Sequence, residues 1–291
     1  MRTSLPLALV TLAVAALSSA AAAAPPSAAG AWRHDPLWDD GNAELCAYEV
    51  EWPRYGHVYT GRALLVVVKE PWDPVQNVKA DSPRPGRFDV LKLNHVRDVP
   101  TGVYTYHQLA SAFLRRDDGR LVKLATSSAE ACGLTTTQKL DGGALSVRSY
   151  FEGAADREVP WPADAVAEDA LPALLRDWVG STPDVPPPAE LLVFPTLLDS
   201  RLVKLAPRRL RLARRDAGEV EVPGGRFDAV ELRLTGEGEW RSYVFERTAP
   251  HRLLELRASD GTRYRMAKCG RVRYWEMHDP GGEEWLPASV R

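Results

Sequence analysis

The chain has 291 residues, 45% of them hydrophobic and 26% charged, and its 37 basic and 39 acidic residues give a formal charge of −2. That balance excludes a generally basic nucleic-acid or membrane-surface binder, which carries a Lys/Arg excess. The apolar share excludes a disordered polyelectrolyte, and the length allows a sizeable core, in one large β domain or two small ones.

The N-terminus has the layout of a secretory signal peptide over residues 1–24. Arg2 supplies the positive start, Leu5 to Leu17 the apolar run, and Ser18, Ser19 and the alanines after them the small residues of a cleavage site. The run is shorter than the roughly 20 residues of a spanning helix. No later stretch is apolar enough to span a bilayer. The expected protein is exported, periplasmic or extracellular, with no transmembrane segment after cleavage. Pro25 to Ala31 reads as a leader.

Residues 25–182 read as a β-rich half. Leu45 to Trp52 alternates weakly, and Leu64 to Val68 is a continuous run suited to a strand covered on both faces. Phe88 to Val96, Val103 to Leu114, Leu121 to Ser127 and Leu145 to Phe151 follow. Asp117-Asp118-Gly119 and Asp141-Gly142-Gly143 punctuate them as hairpin turns. Within Ala163 to Val179, apolar residues recur at helical spacing. Pro172 fits a first helical turn, Gly180 fits a C-cap, and one amphipathic helix near 171–179 is expected. Pro183 to Pro188 reads as a stiff connector.

Residues 183–291 read as the meander half of the same domain. Leu202 to Arg214 comes first, then Val220 to Val222 and the turn Pro223-Gly224-Gly225. Phe227 to Leu234, Trp240 to Glu246, Leu253 to Ala258, Arg263 to Ala267 and Val272 to Met277 follow. Short turns at this spacing describe antiparallel neighbours, and the repeated crossover helices of parallel units are missing. In Arg209-Leu210-Arg211-Leu212 the basic residues take one face and the leucines the other. The cluster Arg208, Arg209, Arg211, Arg214 and Arg215 therefore reads more simply as a wet strand face than as a phosphate site. Amphipathic strands with little helical cover raise the prospect of a ligand cavity.

Catalytic and metal patterns are sparse. There is no G-x-S-x-G, P-loop, G-x-G-x-x-G after a strand, or H-E-x-x-H. His34, His57, His95, His107, His251 and His278 are scattered, and no catalytic residue, metal ligand or cofactor is assigned. Cys46, Cys132 and Cys269 allow one disulfide and one free thiol after export. The expected pair is Cys46 with Cys132, because both lie in the first half.

Val220-Glu221-Val222-Pro223-Gly224-Gly225-Arg226-Phe227-Asp228-Ala229-Val230-Glu231-Leu232 resembles a signature of exported bacterial proteins related to the periplasmic (Lol-type) lipoprotein carriers. Trp240 to Glu246 and Pro250 to Leu256 continue the pattern, and the likeness covers roughly residues 200–278. It implies a mainly β fold: an antiparallel, curved, unclosed β-barrel-like sheet with one or two helices packed on its concave face. In carriers that face holds acyl chains, and the helix around Leu171 to Val179 would be plug or lid. In the first half, Trp38-Asp39-Asp40-Gly41-Asn42-Ala43-Glu44, Arg54-Tyr55-Gly56, Val78-Lys79-Ala80-Asp81, Leu91-Lys92-Leu93-Asn94 and Glu130-Ala131-Cys132-Gly133 resemble exported bacterial proteins labelled septum formation inhibitor. That label implies a nucleotide pyrophosphatase of α/β fold, whereas the residues show no alternating βα pattern.

The function expected on these grounds is an exported, non-enzymatic protein holding a lipid-like or other apolar ligand. The alternative is an envelope structural or interaction protein whose core fills itself. An exported hydrolase built from remote residues is a third.

Overall fold

The computed structural model describes residues 31–82, 84–181 and 186–291. The expected signal peptide, nearly all of the leader after it and the first residues of the 183–188 connector lie outside them.

Among the described residues, sixteen strands form one sheet. Before the helical segment these are β1 (Ala43–Arg54), β2 (His57–Asp73), β3 (Val78–Lys79), β4 (Phe88–Thr101), β5 (Tyr104–Arg115), β6 (Leu121–Glu130), β7 (Gly133–Leu140), β8 (Leu145–Ser149), β9 (Arg157–Val159) and β10 (Ala165–Ala167). After it come β11 (Glu190–Phe194), β12 (Arg208–Val222), β13 (Gly225–Gly236), β14 (Glu239–Glu246), β15 (Leu253–Ala258) and β16 (Arg263–Val272). The spatial order is β10-β11-β12-β13-β14-β15-β16-β1-β2-β4-β5-β6-β7-β8-β9, with β3 paired to β2 off this path. The neighbours are antiparallel except β10 and β11, which run parallel. This mostly antiparallel sheet overturns the α/β fold that the septum-inhibitor label implies.

The connectivity forces the sheet to curve. Its edge strands, β9 and β10, are joined by residues 160–164. That link spans at most about 20 Å, whereas a flat sheet of this many strands would be roughly 65 Å wide at 4.8 Å per strand. The edges are therefore brought near each other, yet they share no ladder, so the barrel stays unclosed. Register shifts at Ala47/Tyr48, Phe113/Leu114, Asp216/Gly218 and Val244/Phe245 add the local bend and twist that such curvature needs.

Period-two alternation gives the sheet a core face. In β4, Leu91, Leu93, His95, Arg97 and Val99 are buried in alternation, and in β12 Leu210 and Leu212 point inward while Arg209 and Arg211 are exposed. One apolar cluster takes residues from nearly every long strand and from the buried Trp32 and Trp38. Leu64 to Val68 is covered on both sides, as its composition suggests. Leu65 and Val67 join the main cluster, while Val66 and Val68 pack with Ala43 and Leu45 beneath Tyr274 and Trp285 of the C-terminal segment. That segment also explains why the expected strand over 272–277 ends early: Tyr274–Glu276 is a 3-10 turn beside this outer cluster.

The expected amphipathic helix is shorter and more buried than its spacing suggests. Glu168–Ala170 is 3-10, α1 covers Leu171–Leu174 with Pro172 in its first turn, and Leu175–Trp178 is again 3-10. Leu171, Pro172, Ala173, Leu175, Arg176 and Trp178 are all buried, so core surrounds the segment on most sides. Its charged residues are held accordingly. Arg176 reaches Glu44 of β1 at 2.7 Å, with side-chain exposures of 1% and 3%, and Asp177 pairs with Arg33 at 3.1 Å. Among the described residues no helix is long and apolar enough to cross a membrane.

The disulfide joins Cys46 to Cys269 and leaves Cys132 free and exposed, which corrects the Cys46–Cys132 expectation. The cause is register. Cys46 and Cys269 are direct partners in the β1–β16 ladder, 223 residues apart in sequence, whereas Cys132 sits in the β6–β7 turn.

Candidate functional site

β7 was not expected from sequence, because its inward positions are Thr135, Thr137 and Lys139 instead of apolar residues. The same holds for Arg97 of β4, Gln108 of β5, and Thr126 and Ser128 of β6. The core face of β4–β7 is thus apolar at Leu91, Leu93, Ala112, Leu114 and Leu124, with Lys139 level with Leu124, and then mostly polar through Arg97, Gln108, Thr126, Ser128, Thr135 and Thr137 before Val99 and Tyr106 close the end. A buried polar group costs about 1–3 kcal/mol if left without a partner. Here the partner is the chain itself.

The connection between β11 and β12 lies over the polar half. Arg97 Nη2 and Gln108 Nε2 donate to the Leu198 carbonyl at 3.1 and 2.9 Å. Thr135 Oγ1 donates to the Ser200 carbonyl at 2.6 Å, and Thr126 Oγ1 to that of Leu197 at 3.4 Å. Asp169 accepts from Thr196 Oγ1 at 2.6 Å and from the Leu197 amide at 2.8 Å. Arg97 completes its fork on Gln108 Oε1 at 2.7 Å and the Tyr264 hydroxyl at 3.1 Å, and lies over the Trp52 ring.

Beside this network is a half-open cavity of about 140 Å³, lined by Trp52, His95, Arg97, Glu168, Asp169, Arg241, Tyr243 and Tyr264 among others. His95 is 8% exposed and its Nε2 has no hydrogen-bond partner. Burial, with a smaller contribution from the Arg97 charge, lowers its pKa from 6.5 to about 3, so the ring is neutral at pH 7. Burial acts the opposite way on Asp169, raising its pKa to about 6 against the hydrogen bonds from Thr196 and Leu197. Glu168 is bound by Arg241 at 2.9 Å and Arg208 at 3.3 Å.

The cavity sits at one mouth of the barrel. The β1–β2, β4–β5, β6–β7, β13–β14 and β15–β16 turns all lie at this end, because antiparallel strands alternate their turns between ends. Nine large hydrophobic residues are exposed among those described, and six belong to this rim: Tyr55, Val58, Val103, Leu134, Tyr150 and Val203. Val103 is fully exposed at the tip of the β4–β5 turn. The Tyr55 hydroxyl bonds those of Tyr104 and Tyr106 across two of the turns, and Arg201 stacks over Phe151 next to Val203. Such a concentration on one rim differs from singly scattered surface hydrophobics, which need no explanation.

Other sequence candidates resolve simply. His34 and His278 are exposed, as their loop positions suggest, and His107 pairs with Asp98 at 2.9 Å on the surface. In the basic strand, Arg208 and Arg215 pair with glutamates, and Arg214 donates to the Val179 carbonyl. Glu44, Cys46 and Cys269 lie close together, but the sulfurs form the disulfide and Glu44 holds Arg176. Sequence reading missed the mouth cavity. Its signal was present in β4, where His95 and Arg97 occupy the inward phase between Leu93 and Val99.

No family model matches the chain, and no curated protein matches it. The carrier and septum-inhibitor resemblances thus gain no support from family comparison. Among solved structures, the chain is similar to the crystal structure of a beta-barrel-like protein of domain of unknown function DUF1849 from Brucella abortus. The TM-score is 0.47 at 8% identity, over 79% of this chain and 98% of that one. A likeness of that degree carries no functional argument.

Proposed function

We propose that this is an exported, non-enzymatic envelope protein that fills its own barrel and engages an apolar partner surface through the rim at its mouth. The observation that carries the reading is the gathering of six of nine exposed large hydrophobics at that rim. The helical segment over 168–178 serves as an internal plug on the concave face, supported by the Arg176–Glu44 pair and by the place of Leu171, Leu175 and Trp178 in the main core cluster. Holding an acyl chain would call for a vacant apolar face. The observed packing weighs against that, because core side chains and the 195–202 connection cover the face and the mouth cavity is small and charged. Pockets for drug-sized ligands run to about 300–1,000 Å³ and are mostly apolar. The export rests on the signal-peptide layout alone.

The test is site-specific photocrosslinking in cells. A photoreactive residue at position 103 should give one discrete adduct, and one at position 75, on the opposite rim, should not. The adduct should disappear when Tyr55, Val58 and Leu134 are changed to Ser. Equal labelling at both rims, or stoichiometric lipid extracted from the purified protein, would overturn the reading.

A further inference from the structure

We propose that the mouth cavity is a binding site for a neutral polyhydroxylated molecule of single-ring size, such as a saccharide unit. The inference is independent of the rim reading.

The lining carries four carboxylates, Glu168, Asp169, Asp199 and Asp260, against the guanidiniums of Arg97 and Arg241, and Arg208 and Arg54 behind it bring the charges into balance. Glu168 is matched by Arg241 and Arg208, Asp199 by Arg54 at 3.5 Å, and Asp169 is held by Thr196 and the Leu197 amide. An anion entering the cavity meets carboxylates, and a cation meets the Arg97 and Arg241 guanidiniums. An apolar chain would bury polar atoms without replacing their water, at a cost per group. A molecule rich in hydroxyls avoids all three penalties.

One atom asks for such a partner. Nε2 of His95 is buried and unpartnered, and His95 lines the cavity together with the buried Tyr243. Nε2 donates in one tautomer and accepts in the other, and a hydroxyl serves either, because it both donates and accepts. The Tyr264 hydroxyl accepts from Arg97 and keeps its own proton for an acceptor. Trp52 and Tyr264 add aromatic surface, the Tyr264 ring centre lying 5.4 Å from that of His95. The volume of about 140 Å³ corresponds to four or five waters at about 30 Å³ each. That suits displacement of a water cluster by one small ring.

The experiment follows the imidazole resonances of the six histidines during titration with glucose and with N-acetylglucosamine. Inorganic phosphate, putrescine and dodecanoate are the comparison probes. The His95 signals should move saturably with at least one sugar in the millimolar range while the exposed histidines stay put. Tyr243→Phe, which removes one hydroxyl, should weaken that sugar about tenfold. His95→Phe should abolish saturation transfer to it. If His95→Phe does not fold, Tyr243→Phe decides. Movement with phosphate, putrescine or dodecanoate but not with sugar would overturn the proposal, and so would no movement with any probe, which means a water-filled pocket. Serine at positions 103 and 134 should leave the titration unchanged, so failure of the rim reading is separable from failure of this one.

Discussion

Arg176 and Glu44 are the most deeply buried ion pair among the described residues, and their removal has a predictable asymmetry. Arg176 donates to both Glu44 oxygens at 2.7 and 3.3 Å, to the Pro172 carbonyl at 3.2 Å and to the Pro250 carbonyl at 3.3 Å. Its guanidinium also lies over the Trp32 ring. Changing Arg176 to Met keeps most of the volume and strands a carboxylate that is 3% exposed. Breaking a buried pair on one side costs about 3–5 kcal/mol, whereas replacing both partners by apolar residues is often neutral. At about 2–4 °C per kcal/mol for a chain of this size, Arg176→Met should lower Tm by roughly 6–20 °C. Adding Glu44→Leu should restore most of that loss. Urea unfolding of both single variants and the double variant, arranged as a double-mutant cycle, measures the coupling. A single-variant cost under about 1 kcal/mol, or a double variant as unstable as the sum of the singles, would refute the reasoning.

Three other outcomes follow from the geometry. Peptide mapping without reduction should show Cys46 joined to Cys269 and Cys132 alkylated, and Cys269→Ser should cost about 2–5 kcal/mol because the bridge closes a long loop; a Cys46–Cys132 peptide would contradict the register. The buried titrating pair works in opposite directions. The contribution of neutral His95 is whole above about pH 6.5 and is lost as pH falls toward 3, while that of protonated Asp169 is whole below about pH 4 and is lost as pH rises through about 6. Relative to the unaltered protein, His95→Gln should therefore gain stability between pH 7 and pH 4 and Asp169→Asn should lose it, by up to about 1.4 kcal/mol per pH unit; parallel urea midpoints for all three proteins would dismiss this. Gly61→Ala should destabilise by about 1–3 kcal/mol, because the added methyl collides with the Asp98 carbonyl and Val99 on the neighbouring strand β4; an unchanged melting curve would show that the strands yield.

Much of the fold was legible locally. Leu253 to Ala258 is a strand with the bounds read from its pattern, Phe88 begins a strand as its pattern suggests, and Leu121 and Leu145 begin strands where the Asp-Gly turns before them place them. The split of Arg209 and Arg211 from Leu210 and Leu212 also holds, because side chains of a strand alternate faces wherever it lies. β7 escaped because its inward residues are polar. Local pattern equates inward with apolar, and here the inward partners are the carbonyls of a connection more than 60 residues away.

By itself the sequence determined the β character, most strand positions and the turns, since each depends on residues within a few positions of one another. Tertiary structure alone decided which cysteines meet, which strands edge the sheet, and what the polar half of the core face binds. Those outcomes depend on register between segments far apart in the chain. His95 and Arg97 show the boundary: their inward phase is written in β4, but only the meeting of β4, β14 and β16 with residues 168–199 makes that phase a cavity.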